Sequence, residues 1–248
     1  CQSQLTEGFL DLNHAPPSNA YLSRSDLSRA ESYLPLRLLV CSACRLVQTE
    51  DYASSSELFS PSYAYFSSAS KSWLRHAEEY ADMITKRLNI VPGSFVVELA
   101  SNDGYLLKNF LRKGIDCLGV EPTDSTAAVA ESLGIRVIRE FFCEDLGHAI
   151  AAREGKADLI CGNNVYAHVP DINDFTRGIA ALLKSEGVVT LEFPHLLKLI
   201  EACQFDTVYH EHFSYLSLGT VRKIFSKNGL RVFDVEELST HGGSLRVY

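Results

Sequence analysis

The sequence predicts an α/β fold in which a seven-stranded sheet follows a small β-rich module at the N-terminus. Beyond Val91, short apolar runs alternate with segments of helical periodicity, a pattern typical of a parallel sheet with helices on both faces. The last two apolar runs are joined by a tight Gly-containing loop, so one of them must run antiparallel to its neighbour. These segments together predict five parallel strands and a closing hairpin.

Length and composition are those of a folded globular protein. The chain has 248 residues, 46% hydrophobic and 22% charged, enough for one α/β domain with a small satellite. A formal net charge of −8 with scattered Lys and Arg gives no basic stripe, so nucleic acid is excluded as a predicted partner. Without a membrane-length apolar run or a signal-peptide pattern, we expect no membrane contact and a cytoplasmic location.

Residues 1–52 are predicted to form the small β module. Within it, "CSAC" places Cys41 and Cys44 between apolar stretches, as on the tip of a hairpin, where a zinc ribbon presents two thiolates. The chain has seven cysteines, an odd number that fits free thiols and a metal site better than a disulfide framework. One such pair supplies half of a tetrahedral site.

Residues 53–90 are predicted to connect the module to the sheet. A Ser- and Tyr-rich stretch comes first, and an amphipathic helix begins near Ser70, which is one of the candidate caps. Its apolar positions recur at helical spacing and define one face: Trp73, Ala77, Tyr80, Ala81, Ile84 and Leu88.

The stretch "VVELASNDGYLL" ends a strand and opens a helix, so the chain must turn where backbone N–H groups can face a ligand. Ala100 and Asn102 occupy two of the three glycine positions of a dinucleotide fingerprint, and Gly104 occupies the third. Asp103 lies within the same turn. S-adenosylmethionine (SAM) has no phosphates and does not need the room that the missing glycines would give a pyrophosphate.

Polar side chains follow the next strands of the predicted sheet. Glu121 ends the second strand, where a carboxylate can accept hydrogen bonds from both ribose hydroxyls of an adenosine. Phe142, after the third strand, is a candidate to flank the adenine, although a core position fits it almost as well. Asn163, Asn164 and His168 follow the fourth strand, at the carboxyl edge where ligands of open α/β sheets bind.

Residues 208–217, "VYHEHFSYLS", concentrate titratable side chains and allow three interpretations. The H-x-H pair of His210 and His212 suits a metal, but nothing nearby offers further ligands. A buried hydrogen-bonded cluster is the second. The third is acid/base chemistry, because a carbon beside a ketone becomes nucleophilic only after losing a proton, and an imidazole of near-neutral pKa suits that step.

Several segments, in order along nearly the whole chain, resemble the sugar C-methyltransferases that act on nucleotide-linked 4-keto-deoxysugars. They are "CSACRLVQ", "SYAYFSSASKSW", "VVELASNDGYLL", "GVEP", "NNVYAHVPDINDF", "LEFPHL", "FDTVYHEHFSYLS" and "DVEELSTHGGSLRVY". The resemblance implies a Rossmann-like seven-stranded class I methyltransferase core over residues 91–248, preceded by a zinc-binding β module, with residues 53–90 reaching over the active site.

The resemblance also implies a zinc site and a missing domain. Family members hold zinc with two C-x2-C pairs; Cys41 and Cys44 match one pair and Cys1 matches the second member of the other. The remaining cysteine would lie upstream of Cys1. A C-terminal domain that holds the nucleotide sugar would follow Tyr248, so we expect this chain to be part of a longer protein.

The base role is assigned by the resemblance to His212, with Glu211 and Tyr209 beside it and His168 facing it from strand four. Tyr63 matches the tyrosine of a Y-x-Y segment of the family. Tyrosine hydroxyls and a second imidazole can stabilise an enolate oxygen. His210 is expected to be structural.

The predicted function is therefore SAM-dependent methylation at C3 of a nucleotide-linked 4-keto-deoxysugar through an enolate. The small-molecule nucleotide sugar is the predicted partner, and the sequence leaves the oligomeric state open. A nicotinamide-dependent oxidoreductase is one alternative, since a strand, a turn, a helix and a distal acid also describe its site. A catalytically silent, zinc-bearing module that binds SAM is the other.

Overall fold

The computed structural model describes residues 1–50 and 65–248. Tyr63 and residues 53–64 of the predicted connecting segment therefore lie outside the described residues. The described part of the chain divides into two compact units. Of the described residues, 1–50, 164–172 and 192–247 form unit 1, and 65–163, 173–191 and 248 form unit 2. The predicted boundaries at residues 52 and 90 stay predictions.

Unit 1 contains a four-stranded antiparallel sheet in the order β1-β2-β3-β9. Its strands are β1 (Glu7–Ala15), β2 (Leu34–Val40), β3 (Val47–Thr49) and β9 (Ser214–Tyr215). In β2, Leu36 and Leu38 are buried on either side of the exposed Arg37, as expected for a strand with one face on a core, and Leu39 on the other face is buried too. The turn from Cys41 to Leu46 joins β2 to β3, which confirms that "CSAC" lies at a hairpin tip.

The larger sheet has the order β10-β11-β8-β7-β4-β5-β6. Its first four strands along the chain are β4 (Phe95–Leu99), β5 (Asp116–Val120), β6 (Arg136–Ile138) and β7 (Ala157–Asn163). Its last three are β8 (Leu183–Pro194), β10 (Val235–Leu238) and β11 (Ser244–Val247). Strand β4 pairs in parallel with β5 and β7, β5 pairs in parallel with β6, and β10 and β11 form the predicted antiparallel hairpin.

Helices connect the strands, as the sequence predicts. They are α1 (Lys71–Arg87), α2 (Leu107–Leu111), α3 (Asp124–Ser132), α4 (Glu144–Glu154), α5 (Ile172–Leu182), α6 (Leu196–Glu201) and α7 (Leu218–Lys227). The side chain of Ser70 accepts a hydrogen bond from the N–H of Trp73 and caps α1, which confirms the predicted start of that helix. No helix in residues 1–50 and 65–248 is long and apolar enough to cross a membrane.

The core of unit 2 is formed by one face of α1 packed with residues of the sheet and of α2. Trp73, Ala77, Tyr80, Ala81 and Ile84 are all buried in this cluster, as the predicted helical face requires. The cluster also contains Tyr105, Leu106, Leu107, Phe110, Cys117, Leu159 and Cys161. Burying these side chains fixes the start of α2, and with it the turn that follows β4.

A buried ion pair holds the end of the chain in unit 1. Arg246 Nη2 lies 2.7 Å from Glu192 Oε2, with the two side chains 4% and 0% exposed. Thr240 Oγ1 donates to the other carboxylate oxygen of Glu192 (2.9 Å), and Arg246 Nη1 lies 3.0 Å from Glu236 Oε2. The motifs "LEFP" and "STHGGSLRVY" therefore contribute charges that compensate each other where water is excluded.

Candidate active site

A cluster of thiols lies in the N-terminal module. The sulfur atoms of Cys1, Cys41 and Cys44 all lie within 4.8 Å of one another, and Cys1 Sγ is 3.5 Å from Cys41 Sγ. Thiolates on a tetrahedral zinc at about 2.3 Å are separated by roughly 3.8 Å, so this spacing suits the metal. The N–H of Cys44 points at Cys41 Sγ (3.4 Å) and is the main cause that lowers the pKa of the Cys41 thiol. Sulfur donors and a stabilised thiolate fit zinc.

The turn after β4 keeps the backbone conformation that glycine usually supplies. Ala100, Asn102 and Gly104 have φ values of 55°, 48° and 77°, all in the left-handed region that disfavours most side chains. A Cβ on Gly104 would lie 2.5 Å from Ile135 Cδ1 and 3.2 Å from Ala130 Cβ. The dihedral angle of Gly104 therefore favours glycine, and a side chain there would also require Ile135 and Ala130 to shift.

Side chains of the same turn hold the segment that precedes α1. Asn102 Oδ1 accepts a hydrogen bond from the N–H of Ser67 (2.9 Å), and Asn102 Nδ2 donates to the carbonyl of Tyr65 (3.1 Å). Asp103 Oδ2 accepts from the N–H of Ser68 (3.0 Å). Asn102 and Asp103 therefore tie the turn to residues 65–68, in addition to any contact with a ligand.

The Glu121 carboxylate, at the end of β5, is braced by backbone N–H groups. Its Oε2 accepts from the N–H of Asn102 (2.8 Å), and its Oε1 accepts from the N–H (2.9 Å) and the hydroxyl of Thr123. The residue is 4% exposed. These donors fix the orientation of the carboxylate, whose oxygens each have two acceptor sites for hydrogen bonds.

Glu98 lies in β4 and is fully buried. Burial raises the pKa of its carboxyl well above the ordinary value, and the hydroxyl of Tyr105 acts in the opposite direction. The nearby carboxylates of Asp103 and Glu121 raise it further. The burial of Glu98 and the carboxylates near it therefore favour the neutral form of this carboxyl.

Several polar atoms at the carboxyl ends of β4 and β7 are buried without a hydrogen-bond partner among the described residues. They are Ser101 Oγ, Asp103 Oδ1 and both amide atoms of Asn163. A buried polar group that has no partner costs free energy, and all of these groups belong to unit 2. Their placement at one edge of the sheet fits a small polar ligand that supplies the missing hydrogen bonds.

Phe142 and Asn164, also predicted to bind the cofactor, have other contacts. The ring of Phe142 packs edge-to-face on Phe175 with the centroids 5.2 Å apart. Asn164 belongs to unit 1, and its Nδ2 lies 3.3 Å from both ring nitrogens of His241. Roles of Phe142 and Asn164 in cofactor binding stay predictions.

Residues 209–212 form a tight turn in unit 1, in which the N–H of His212 donates to the carbonyl of Tyr209 (3.1 Å). Because the backbone turns, Glu211 and His212 are both buried, at 2% and 7% exposure. An extended chain would have sent these neighbours to opposite faces. The rings of Tyr209 and His168 lie beside that of His212, with centroids 4.2 Å and 4.6 Å away.

The hydrogen bonds of His212 define its tautomer. Its Nδ1 lies 3.0 Å from the carbonyl oxygen of Thr207, which can only accept, so Nδ1 carries a hydrogen. Its Nε2 is 2.9 Å from the hydroxyl of Tyr209 and accepts from it when the ring is neutral. Burial lowers the pKa of His212 well below its ordinary value, and the neighbouring His168 lowers it further. His212 is therefore a neutral base at physiological pH.

His168 is linked to the main chain of Glu211. Its Nδ1 lies 2.8 Å from the Glu211 carbonyl, which must accept, so this nitrogen also carries a hydrogen. Burial lowers the pKa of His168, while the negative charge of Glu211 acts in the opposite direction. Two imidazoles, a phenol and a carboxylate thus form one cluster, which we call the imidazole cluster: His168, Tyr209, Glu211 and His212.

His210 has a different environment from His212. Its Nε2 lies 3.1 Å from the carbonyl of Pro35, so its ring is held by the N-terminal β module. This contact agrees with the structural role that the sequence predicts for His210.

Three groups that contact the imidazole cluster are not predicted from the sequence. The side chains of Ser18 and Asn19 donate to Glu211 Oε1, at 2.9 Å and 2.6 Å, and the Thr207 carbonyl orients His212. Ser18 and Asn19 follow a Pro-Pro pair that predicts only a turn, and 193 and 192 residues separate them from Glu211. No local pattern reports such a distant contact.

Two family models match the sequence. Residues 73–235 match a family described as a methyltransferase domain, and this match covers more than half of the chain. Residues 1–59 match a family described as "Putative zinc binding domain", and the three-cysteine cluster lies within that range. The predicted zinc-binding module is thereby supported by sequence and by geometry.

One curated relative is similar over nearly the whole chain. The C-methyltransferase NovU of Streptomyces niveus is 36% identical over 233 residues, which are 94% of this chain and 55% of NovU. The chain therefore spans about half the length of this relative.

Solved structures resemble the fold at low sequence identity. The magnesium protoporphyrin IX methyltransferase of Synechocystis, solved with bound SAH, has a TM-score of 0.55 at 15% identity, covering 70% of this chain and 81% of its own. SAM-dependent methyltransferases of Clostridium acetobutylicum and Mesorhizobium loti have TM-scores of 0.55 and 0.54, each at 15% identity over 70% of this chain, and cover 90% and 98% of their own chains. These likenesses confirm the predicted Rossmann-like, seven-stranded class I methyltransferase fold.

Proposed function

Because the chain belongs to the methyltransferase-domain family, we propose that it catalyses SAM-dependent methylation of a carbon atom, C3 of a nucleotide-linked 4-keto-deoxysugar. The observation that carries this proposal is the state of His212, a buried, neutral imidazole whose Nε2 faces a tyrosine hydroxyl. The similarity to NovU, a C-methyltransferase, supports carbon as the methyl acceptor.

SAM is the proposed ligand of the buried polar groups at the edge of the sheet. Glu121 would accept hydrogen bonds from the ribose hydroxyls, and the amide of Asn163 and the carboxylate of Asp103 would meet other polar groups of SAM. The unpartnered atoms at that edge support this proposal, since a ligand rich in donors and acceptors would satisfy them. When bound, SAM supplies an electrophilic methyl group that an enolate carbon accepts, leaving S-adenosylhomocysteine.

The imidazole cluster would perform the proton chemistry. His212 Nε2 takes the proton from C3, and the electrons of the C–H bond move into an enolate whose negative charge lies on the C4 oxygen. The hydroxyl of Tyr209 leaves Nε2 as the proton arrives and becomes available to donate to that oxygen. The Thr207 carbonyl, which accepts from Nδ1, holds the ring and stabilises the imidazolium that forms.

Zinc is proposed to hold the N-terminal β module together. Cys1, Cys41 and Cys44 would be three of its ligands, and closed thiolate sites of this kind are structural. The metal takes no part in the reaction in this proposal. The cytoplasmic location and the absence of nucleic-acid binding stay predictions.

The test is methyl transfer by the full-length protein, with labelled SAM and thymidine-diphosphate 4-keto-6-deoxyhexose. We expect His212→Asn to lower the rate by about 10²- to 10⁴-fold and to leave SAM affinity unchanged. His148→Asn is the matched control, because His148 is exposed on α4 and its replacement leaves the rate as it is. Equal label incorporation by His212→Asn and the wild type would remove His212 as the base.

Thermal-shift titrations with SAM and with NAD(H), together with the methyl-transfer assay, separate the alternatives. A nicotinamide-dependent oxidoreductase would be stabilised by NAD(H) in a thermal-shift assay, whereas this proposal expects stabilisation by SAM. A catalytically silent module would bind SAM and transfer no methyl group to any keto-sugar. The methyltransferase-domain match gives the oxidoreductase alternative no support.

A further inference from the structure

The Glu211 side chain is held by the N-terminal β module. Ser18 and Asn19 follow β1 on a turn that begins with two prolines, and both donate to the same oxygen, Glu211 Oε1, at 2.9 Å and 2.6 Å. Glu211 is 2% exposed. Because a buried carboxylate is costly unless donors satisfy it, these two hydrogen bonds stabilise the position of the Glu211 carboxylate.

Glu211 transmits this position to the ring of His168. Its main-chain carbonyl accepts the hydrogen of His168 Nδ1 at 2.8 Å, and its backbone is part of the turn that buries His212. The rings of His168 and His212 lie 4.6 Å apart. One residue therefore has its side chain fixed by the N-terminal module and its main chain bonded to an imidazole.

We propose that Ser18 and Asn19 are positioning residues for the imidazole cluster: they fix Glu211, and through Glu211 they fix the ring of His168 beside His212. This role rests on the proposed function. It gives the N-terminal β module a part in the reaction that is separate from its proposed metal site. The contact with Glu211 is made by the turn after β1, whereas the thiols of Cys41 and Cys44 lie on the turn after β2.

Removal of these hydrogen bonds is expected to slow the chemical step. The full-length variant with Ser18→Ala and Asn19→Ala should lose about 10- to 100-fold in kcat, since displacements of catalytic groups near 1 Å cost up to about that much. KM for SAM and zinc content should stay at the wild-type values. Ser18→Thr keeps a hydroxyl and should retain kcat in the presence of Asn19.

A spectroscopic measurement reports on the cluster without turnover. With ¹⁵N-labelled histidine, the ring-nitrogen signals of His168, assigned with His168→Asn, should shift in the double variant, because the partner of Nδ1 moves. Ser28→Ala is the matched control, as the exposed Ser28 hydroxyl donates to the carbonyl of Ser25 and touches no member of the cluster. It should change neither the signals nor kcat.

Three measurements decide the positioning role: kcat, the His168 ring signals, and the binding of zinc and SAM. A loss of kcat with shifted His168 signals and unchanged zinc and SAM binding supports the positioning role. Unchanged ring signals overturn it, and so does an unchanged kcat, even if the double variant melts at a lower temperature. If the double variant does not fold, Ser18→Ala and Asn19→Ala are measured singly with the same criteria. If the wild type transfers no methyl group, the proposed function fails, and the ring signals alone decide the positioning role.

Discussion

At the scale of single residues, the proposed base role of His212 depends on its protonation state. Its Nδ1–H donates to the carbonyl of Thr207, and its Nε2 faces the hydroxyl of Tyr209. The resemblance to the sugar C-methyltransferases assigns the base role to this histidine, but it does not predict the tautomer. The tautomer is set by a hydrogen bond to the main-chain carbonyl of Thr207. A contact with a main-chain atom cannot be predicted from the order of the side chains.

The depressed pKa of His212 predicts the pH profile of methyl transfer. A base works in its unprotonated form, and burial lowers the pKa at which His212 becomes protonated. Activity should therefore persist as the pH falls through 6.5, the ordinary pKa of histidine, and decline only below it. The measurement is kcat of the full-length protein against pH. A profile that falls between pH 8 and 7 on acidification would contradict this state of the ring.

Glu211 shows where residue-level prediction ends. The sequence places it beside His212, but its carboxylate partners, Ser18 and Asn19, are far away along the chain. Contacts between residues so far apart along the chain depend on the tertiary fold, and propensity and periodicity contain no information about them.

At the scale of elements, α1 follows directly from the sequence, whereas the turn after β4 does so only in part. The helical face and the Ser70 cap of α1 are evident from spacing alone. The turn has one glycine where a dinucleotide fingerprint has three, yet Ala100 and Asn102 adopt left-handed dihedral angles as glycine would. Three hydrogen bonds stabilise that conformation: the Asn102 side chain donates to the carbonyl of Tyr65 and accepts from the N–H of Ser67, and the Asn102 N–H donates to Glu121.

Ala100 is the position where this turn stores strain. Left-handed dihedral angles cost a residue with a Cβ about 1–2 kcal/mol, a cost that glycine avoids. Glycine, however, is more flexible in the unfolded chain, and this flexibility offsets about 0.5–1 kcal/mol of the gain. Ala100→Gly should therefore raise the free energy of unfolding by up to about 1 kcal/mol, measured by urea denaturation. Ala100→Val, which is β-branched, should lower it. A stabilising valine would show that the turn has other dihedral angles.

The strand after α7 is shorter than the apolar pattern suggests. The sequence "LRVFDVEEL" predicts a strand from residue 230, but β10 covers Val235–Leu238. Arg231 and Phe233 are exposed, and the carboxylate of Asp234 accepts the N–H of Val235. A side chain that bonds the following N–H ends the regular ladder at that point.

At the scale of the whole molecule, the seven strands of the larger sheet and its closing hairpin were predictable because the strands and helices have clear periods, whereas the order of the strands comes from the structure. The path of residues 208–217 was not. Their two-residue strand, β9, joins the N-terminal sheet by pairing with β3, so the histidine-rich segment belongs to the same unit as the thiol cluster. Pairing between segments more than 160 residues apart cannot be deduced from alternation of side chains.

Zinc is expected to stabilise the N-terminal β module of the whole protein. Removal of the metal by a chelator should lower Tm by more than about 4 °C, since a structural zinc site contributes folding free energy directly. The measurement is calorimetry with and without the chelator, with zinc content determined in parallel. Cys41→Ser should reproduce the effect, and Cys203→Ser, an exposed thiol outside the cluster, is its control. An unchanged Tm after complete loss of zinc would contradict a structural role.

Hydrogen exchange at C3 shows whether His212 removes the proton next to the ketone, as we propose. The full-length protein, saturated with S-adenosylhomocysteine, is incubated with the 4-keto-sugar nucleotide in D₂O, and deuterium at C3 is followed by NMR. The wild type should incorporate deuterium, and His212→Asn should do so at the rate of the sugar alone while still binding it. Exchange at the same rate in both proteins would contradict the account.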